Sequence, residues 1–259
     1  MRDLVVMWSN TRMVVLAAMS ASLYAAILIP FKVLPVIPGV TEIRPANAIP
    51  VVCSFLFGPA GAWGAAIGNL IGDFFGGIGP GDFFGFFGNL LYGLVPYKLW
   101  QAFTDRDPIP RSLREWVAFV AVVTVAAGAC AMVIGWGLNL LGFQPFFVLG
   151  KLVFANNFLS AIAIAPLLLL ALYPRVKRAR LRYLDILPER RPPSAPVRVA
   201  ASIIIVGAVC TGMLLGDLTS SGRITLPVLG SVAGGSGALQ VGVVLLPMIV
   251  VLLIGLSLL

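Results

Sequence analysis

Several polar side chains lie within or beside apolar stretches in the second quarter of this sequence. They are Asn69, Asp73, Asp82, Asn89 and Tyr92. An ionised carboxylate inside a bilayer is costly unless it is paired or faces water, so a functional role is the first hypothesis for Asp73. Asp82 has an alternative role, because a carboxylate also suits the N-terminus of a helix. Together these residues predict a site that binds a small solute.

The pentapeptide Gly-Asp-Phe-Phe-Gly occurs twice, at 72–76 and 81–85. Pockets for small ligands combine apolar and aromatic walls with a few polar groups. The repeat therefore predicts an outward-facing pocket in which the two aspartates lie among aromatic walls. The four phenylalanines concerned are Phe74, Phe75, Phe83 and Phe84.

The predicted first outer loop, residues 31–47, adds Glu42, Arg44 and Asn47 among several prolines. A stiff polar loop over the mouth of a helical bundle can act as a lid and supply ligand contacts. Glu42 and Arg44 could instead pair with each other or with Asp82. Both interpretations stay open at the level of sequence.

Two adjacent amides, Asn156 and Asn157, occur in a strongly apolar stretch. At least one of them must face the interior of a bundle, because a buried amide needs hydrogen-bond partners. They either hold helices together or bind substrate.

The elements that position these residues are membrane helices. Hydrophobic residues make up 59% of the chain, charged residues 11%, and the mean hydropathy is +1.01, which excludes a soluble fold. About 20 apolar residues cross a bilayer. The first run is interpreted as a retained helix rather than a signal peptide. The apolar windows predict an all-α, eight-span polytopic protein and fall at about 13–30, 46–58, 60–78, 83–103, 116–141, 146–172, 199–218 and 238–259.

The basic residues predict the orientation of these helices, because Lys and Arg collect on the cytoplasmic side. With both termini inside, fourteen of the eighteen Lys and Arg residues fall in cytoplasmic segments. The net charge of +8 is thereby explained without nucleic-acid binding. The predicted location is the cytoplasmic (inner) membrane.

The chain divides into three parts. Residues 1–173 form a predicted six-helix substrate-binding domain and residues 199–259 two additional membrane helices. Residues 174–198 form a basic cytoplasmic linker that is expected to lie on anionic lipid headgroups.

Small residues recur at four-residue spacing on two predicted helices. Ala17, Ala21 and Ala25 form a smooth face on the first, against which another helix can pack closely, in the same chain or in a partner. A glycine stripe from Gly64 to Gly76 runs along the third helix, and Gly81, Gly85 and Gly93 follow in the fourth, so these two helices are expected to pack closely together.

Enzymatic and metal chemistry find little support. The chain has no histidine, and its three cysteines lie in apolar runs without metal-ligand spacing. We expect no catalytic residue, no metal and no cofactor.

Together these features resemble the substrate-binding S components of energy-coupling factor (ECF) transporters, six-helix membrane proteins that capture vitamins and related micronutrients. The resemblance covers about residues 10–173: the small-residue stripe, the long first outer loop, the short second helix and the Gly-rich third and fourth helices. Within the family, the sequence is most similar to the queuosine-precursor branch. The segments that carry this similarity are Val40-Thr41-Glu42-Ile43-Arg44, Phe57-Gly58-Pro59 and Gly68-Asn69.

The resemblance implies a mechanism. Ala17, Ala21 and Ala25 would dock on a membrane scaffold subunit that two cytoplasmic ATPases drive, and the S component would topple to release its substrate inward. This chain has no Gly-x-x-x-x-Gly-Lys-Ser/Thr loop of its own for ATP. It departs from the family in its two extra helices. The candidate substrate-binding residues are Glu42, Arg44, Asn47, Asp73, Asp82, Asn89, Tyr92, Asn156 and Asn157.

Three other functions remain as alternatives. Asp73 could carry a proton or sodium ion in a secondary transporter that acts alone. Gly79-Pro80-Gly81-Asp82 spells the Gly-x-Gly-Asp of intramembrane aspartyl proteases, in which two carboxylates activate water. The chain could also be a purely structural membrane partner.

Overall fold

The structure is a computed structural model that describes residues 1–31, 35–37, 41–42, 44–104, 106–187, 193–225 and 237–259. Ten α-helices lie in this part of the chain, and each of the eight apolar windows forms one of them. Their bounds are α1 Arg2–Val6, α2 Thr11–Phe31, α3 Ala48–Phe57, α4 Pro59–Phe74, α5 Gly81–Phe103, α6 Leu113–Leu140, α7 Phe146–Arg178, α8 Tyr183–Ile186, α9 Ala195–Ser220 and α10 Gly237–Leu258.

The chain is a polytopic membrane protein of the all-α class, with one short β-hairpin among its described residues. Within the described residues, five helical stretches are long and apolar enough to cross a bilayer: α2, α6, α7 with the short α8 that continues it, α9 and α10. The number of crossings and their orientation stay predictions.

Helix α3 is short, as its sequence predicts. Its ten residues rise about 15 Å, half of the roughly 30 Å of a hydrocarbon core. A two-stranded antiparallel hairpin, β1 Pro35–Ile37 and β2 Thr41–Glu42, and a 3₁₀ turn, Pro45–Asn47, precede it. Helix α3 packs against α4, α5 and α7.

The close packing of α4 and α5 that the glycines predict is confirmed, but the glycine stripe of α4 itself packs on α2. A side chain at Gly64 would meet Ser20 and the backbone of Ala21, and one at Gly68 would meet the Ala21 carbonyl. The contact between α4 and α5 is made by another glycine, Gly93, against Ala62. Equal spacing identifies a smooth helix face but not the neighbour that covers it.

The C-terminal helices α9 and α10 pack on each other and on α6. Phe146, at the start of α7, is fully buried where Gly135 of α6, Gly150 of α7 and Gly216 of α9 meet. Its backbone N–H donates to Asn139 Oδ1 at 2.9 Å. The connection between α6 and α7 is thus stabilised partly by its contact with the C-terminal helix α9.

The opposite end of the bundle holds a buried ion pair. Lys98 of α5 is 3% exposed and lies 3.7 Å from Asp3 Oδ1 of α1, while the Tyr97 hydroxyl donates to Asp3 Oδ2 at 2.5 Å. Burial alone would raise the pKa of the Asp3 carboxyl, but Lys98 and Tyr97 hold it at about 2. These contacts attach α1 to the end where the basic residues collect.

Candidate functional site

A cavity of about 330 Å³ opens at the end of the bundle that is predicted to face outward. Its walls come from α2, α4, α5, α6 and α7 and from the segment that leads into α3. Asn47, the last residue before α3, lies at its inner end, because its Nδ2 atom donates to Asn157 Oδ1 of α7 at 2.6 Å. The segment that leads into α3 therefore supplies polar side chains to the cavity wall.

A hydrogen-bonded network joins three helices, α2, α5 and α7, and the segment before α3 at the inner end of the cavity. The Tyr24 hydroxyl of α2 lies 3.0 Å from Asn47 Oδ1 and 3.3 Å from Asn89 Oδ1 of α5. Asn89 Nδ2 donates to the Gly85 carbonyl at 2.9 Å. These amides are buried, so their orientations are fixed by partners inside the protein.

Two carboxylates lie nearer the mouth. Asp73 Oδ2 accepts from Asn69 Nδ2 at 2.6 Å, one turn earlier on α4. Asp82 lies in the first turn of α5, and its Oδ2 accepts from the Gly79 backbone N–H at 2.8 Å; the N-cap residue is Pro80, without a side-chain hydrogen bond, so the predicted capping by Asp82 is not found. Both line the cavity together with Arg44, so its mouth carries charge of both signs.

The structure brings seven of the nine sequence-predicted site residues to one cavity. They are Arg44, Asn47, Asp73, Asp82, Asn89, Asn156 and Asn157. Tyr92 lies behind the wall, where its hydroxyl donates to the Asn157 carbonyl oxygen at 2.8 Å. The side chain of Glu42 lies outside the described residues. Their role in binding a substrate stays a prediction.

The expected aromatic walls are wrong. Phe74, Phe75 and Phe83 are 63%, 69% and 63% exposed, on the outside of the bundle. Phe84 packs edge-on against Trp136, with ring centroids 5.6 Å apart. The repeat places its aspartates at the cavity but its aromatic rings away from it.

Other cavity residues were missed from sequence. They include Tyr24, Gly85, Cys130, Ile134, Leu138, Phe143, Leu149, Leu152 and Val153. Tyr24 had a recognisable signal, because its phenol hydroxyl lies in an apolar helix beside the alanine stripe of α2. The aliphatic residues have no distinguishing signal, because any buried helix face has the same composition.

The alanine stripe of α2 packs against another helix of the same chain, α4. Ala17, Ala21 and Ala25 are 2%, 2% and 4% exposed, and α4 covers this face of α2. In this arrangement the three alanines are not accessible to a partner. The adjacent small residues Ala18, Ser22 and Ala26 are exposed.

Among the described residues, no group of three or more His, Cys, Asp or Glu side chains is placed to hold a metal ion.

A helical membrane protein with a small polar cavity at one end of its bundle has the form of a transporter for a small solute. Residues 14–174 match the family model described as QueT transporter, and the chain belongs to this family of queuosine-precursor S components of ECF transporters. The match ends before the basic linker, so α9 and α10 lie beyond it. Comparison with curated proteins and with solved structures gave no significant match.

Membership of a transporter family is consistent with the expectation that the chain is not an enzyme. It gives the chain the function of an S-component transporter for a small precursor.

Proposed function

We propose that the chain captures a queuosine precursor with high affinity in its outer cavity and delivers it across the cytoplasmic membrane as the S component of an ECF transporter. Its partners would be a membrane scaffold subunit and two cytoplasmic ATPases. The observation that carries the proposal is the polar cavity, which lies within the family-matched residues 14–174.

The chemistry of the cavity suits a small polar heterocycle. Queuosine precursors are 7-deazaguanine bases, which present several donors and acceptors around a flat ring. The cavity volume of about 330 Å³ lies at the small end of ligand pockets, which run from about 300 to 1,000 Å³. Amides at its inner end and charged groups at its mouth supply complementary hydrogen bonds.

Within this proposal the residues have different roles. Seven side chains contact the ligand: Arg44, Asn47, Asp73, Asp82, Asn89, Asn156 and Asn157. Tyr92 supports Asn157 from behind, and Glu42 contributes from the connecting segment between α2 and α3. The cavity-forming domain is residues 1–173; residues 174–198 are a cytoplasmic linker, and residues 199–259 are an added pair of membrane helices.

Docking on the scaffold would use the exposed face of α2. Because α4 covers Ala17, Ala21 and Ala25, the partner would meet the neighbouring stripe of Ala18, Ser22 and Ala26. Small residues on an exposed helix face allow close packing of a second helix within lipid. The proposed docking stripe is thus shifted by one residue from the stripe that spacing alone favours.

Mass spectrometry of small molecules that co-purify with the detergent-solubilised chain tests the proposed function. We expect a 7-deazaguanine base, and affinity pull-down should recover ATPase subunits with the chain. Uptake by the chain alone in liposomes, driven by an ion gradient without ATPases, would instead support a secondary transporter.

A further inference from the structure

The inner end of the cavity presents an amide donor that has no partner. Asn157 is 4% exposed and lines the cavity, and its Nδ2 atom makes no hydrogen bond within the part of the chain that the structure describes. Its Oδ1 atom accepts from Asn47 Nδ2 at 2.6 Å. This bond sets the orientation of the amide, so the group without a partner is the Nδ2 donor. Unpaired buried donors are rare in folded proteins because they are costly.

One described side chain, a thiol, is a weak candidate partner for this donor. The Cys130 thiol lies close enough to Asn157 to interact with it, but sulfur is a poor acceptor. The donor is therefore available to an oxygen or nitrogen acceptor of a ligand in the cavity.

In the same network the acceptor Asn89 Oδ1 competes for a single donor. A tyrosine hydroxyl has a single hydrogen to donate, and that of Tyr24 lies nearer to Asn47 Oδ1, at 3.0 Å, than to Asn89 Oδ1, at 3.3 Å. The Asn89 amide is oriented by its own Nδ2, which donates to the Gly85 carbonyl. Asn89 Oδ1 thus faces the cavity network without a donor once Tyr24 has bonded to Asn47.

We propose that the cavity recognises a lactam-like edge of its substrate. The carbonyl oxygen of that edge accepts from Asn157 Nδ2, and the adjacent N–H donates to Asn89 Oδ1. Asn47 and Tyr24 orient the two amides, and donation from Asn47 to Asn157 Oδ1 strengthens the opposite end of that amide as a donor. This inference rests on the proposed function and adds the atoms that read the substrate.

The test compares two probes that differ only at this edge. 7-Deazaguanine has the lactam, whereas 2-amino-7-deazapurine lacks both its carbonyl oxygen and its N–H. Binding to the purified full chain is measured by isothermal titration calorimetry. We expect wild type to bind 7-deazaguanine at least about tenfold more tightly than the analogue, since the analogue leaves two buried groups unpaired.

Variants assign the discrimination to the amides. In Asn157→Leu the ratio of the two affinities should fall below about threefold, because the donor is gone. The matched control Asn156→Leu, one residue earlier on α7, should keep the wild-type ratio even if both affinities fall. Asn157→Asp keeps an oxygen that can accept from Asn47 but replaces the Nδ2 donor with a second oxygen. It is measured in place of Asn157→Leu if that variant does not fold.

The measurements distinguish binding of a base in the cavity from its recognition by Asn157 and Asn89. If wild type binds neither probe, the proposed function fails and this inference with it. If wild type binds both probes equally, or if Asn157→Leu keeps the full ratio, the cavity still binds a base but the assignment to Asn157 and Asn89 is overturned.

Discussion

The Tyr24 hydroxyl donates to Asn47 Oδ1 across 3.0 Å, and this bond joins the middle of α2 to the residue from which α3 begins. Asn47 in turn donates to Asn157 of α7. The start of the short helix is thus held at mid-bundle by side chains rather than by a continuous helical crossing. These two bonds therefore tie the start of α3 to α2 and to α7, in addition to the apolar packing that buries the helix.

Tyr24→Phe tests this relationship. The ring still fills its site, but Asn47 loses its donor, so we expect a loss of about 1–3 kcal/mol in unfolding free energy and weaker ligand binding. The control is Tyr97→Phe, a buried tyrosine at the opposite end whose hydroxyl bonds Asp3. It should lower the unfolding temperature and leave ligand affinity unchanged; equal loss of affinity in both variants would contradict the role of Tyr24.

The contact between α2 and α4 predicts a strong position dependence for glycine substitutions. Gly64→Leu would force a side chain into Ser20 and the Ala21 backbone, and overpacking of this kind costs about 1–3 kcal/mol. Gly207→Leu is the matched control, because nothing lies within 4 Å of a side chain built there. Thermal unfolding in detergent should separate the two variants, and similar unfolding temperatures would refute the packing described.

The buried ion pair predicts a large cost when one partner is removed. Asp3→Asn leaves Lys98 uncompensated and should cost about 3–5 kcal/mol, while adding Lys98→Met should restore much of the loss. The exposed pair between Lys177 and Asp107 is the control, since its side chains are 46% and 41% exposed and Lys177→Met should cost about 1 kcal/mol or less. A loss in Lys177→Met as large as that in Asp3→Asn would count against the buried pair.

The same carboxyl predicts a pH dependence of stability. The pKa of Asp3 is held at about 2, below its ordinary 3.8, so its ionised form stabilises the folded state. That contribution is fully present above pH 3.8 and is lost as the pH falls through about 2. Unfolding measured between pH 5 and pH 2 should show this decline in wild type, and a decline of the same size in Asp3→Asn would assign it to other groups.

Phe146 predicts how far the C-terminal pair supports the cavity. Phe146→Ala empties the space between α6, α7 and α9 and should cost about 3–5 kcal/mol. Its neighbour Phe147 is 37% exposed, so Phe147→Ala should have little effect on the unfolding temperature. Comparable losses in the two variants would show that the connection between α6 and α7 does not depend on this ring.

The proposed docking face gives a prediction for assembly. Ser22→Leu adds bulk to the exposed stripe of α2 and should reduce recovery of the scaffold subunit in a pull-down while leaving ligand binding intact. Val15→Leu, also on the exposed side of α2, is the control and should assemble normally. Unchanged assembly by Ser22→Leu would place the partner elsewhere.

Element positions were predictable from sequence because apolar length is a direct signal for membrane helices. Even the shortness of α3 follows from its prolines and its apolar length. Most candidate site residues also reached one cavity, since polar groups in an apolar helix must find one another or water.

The neighbours of each helix face were not predictable. The spacing of Gly64 and Gly68 is the same whether α2 or α5 covers them, and the phenylalanines of the repeat could point inward or outward at any helix end. Phe146 lies where Gly135, Gly150 and Gly216 meet. These glycines are up to 81 positions apart, so no local sequence pattern predicts the burial of Phe146. Such contacts depend on the tertiary arrangement.

Blocking the cavity provides the most direct test of its role. Gly85 lines it, and a side chain there would point toward Asn69 Nδ2 at 3.2 Å and Asp73 Oδ2 at 3.7 Å. Binding of 7-deazaguanine is measured by equilibrium dialysis for wild type, Gly85→Leu and the control Gly207→Leu, at an exposed position on α9, all checked for equal unfolding temperatures. We predict binding by wild type and Gly207→Leu and its loss in Gly85→Leu; undiminished binding by Gly85→Leu would contradict capture of the substrate in this cavity.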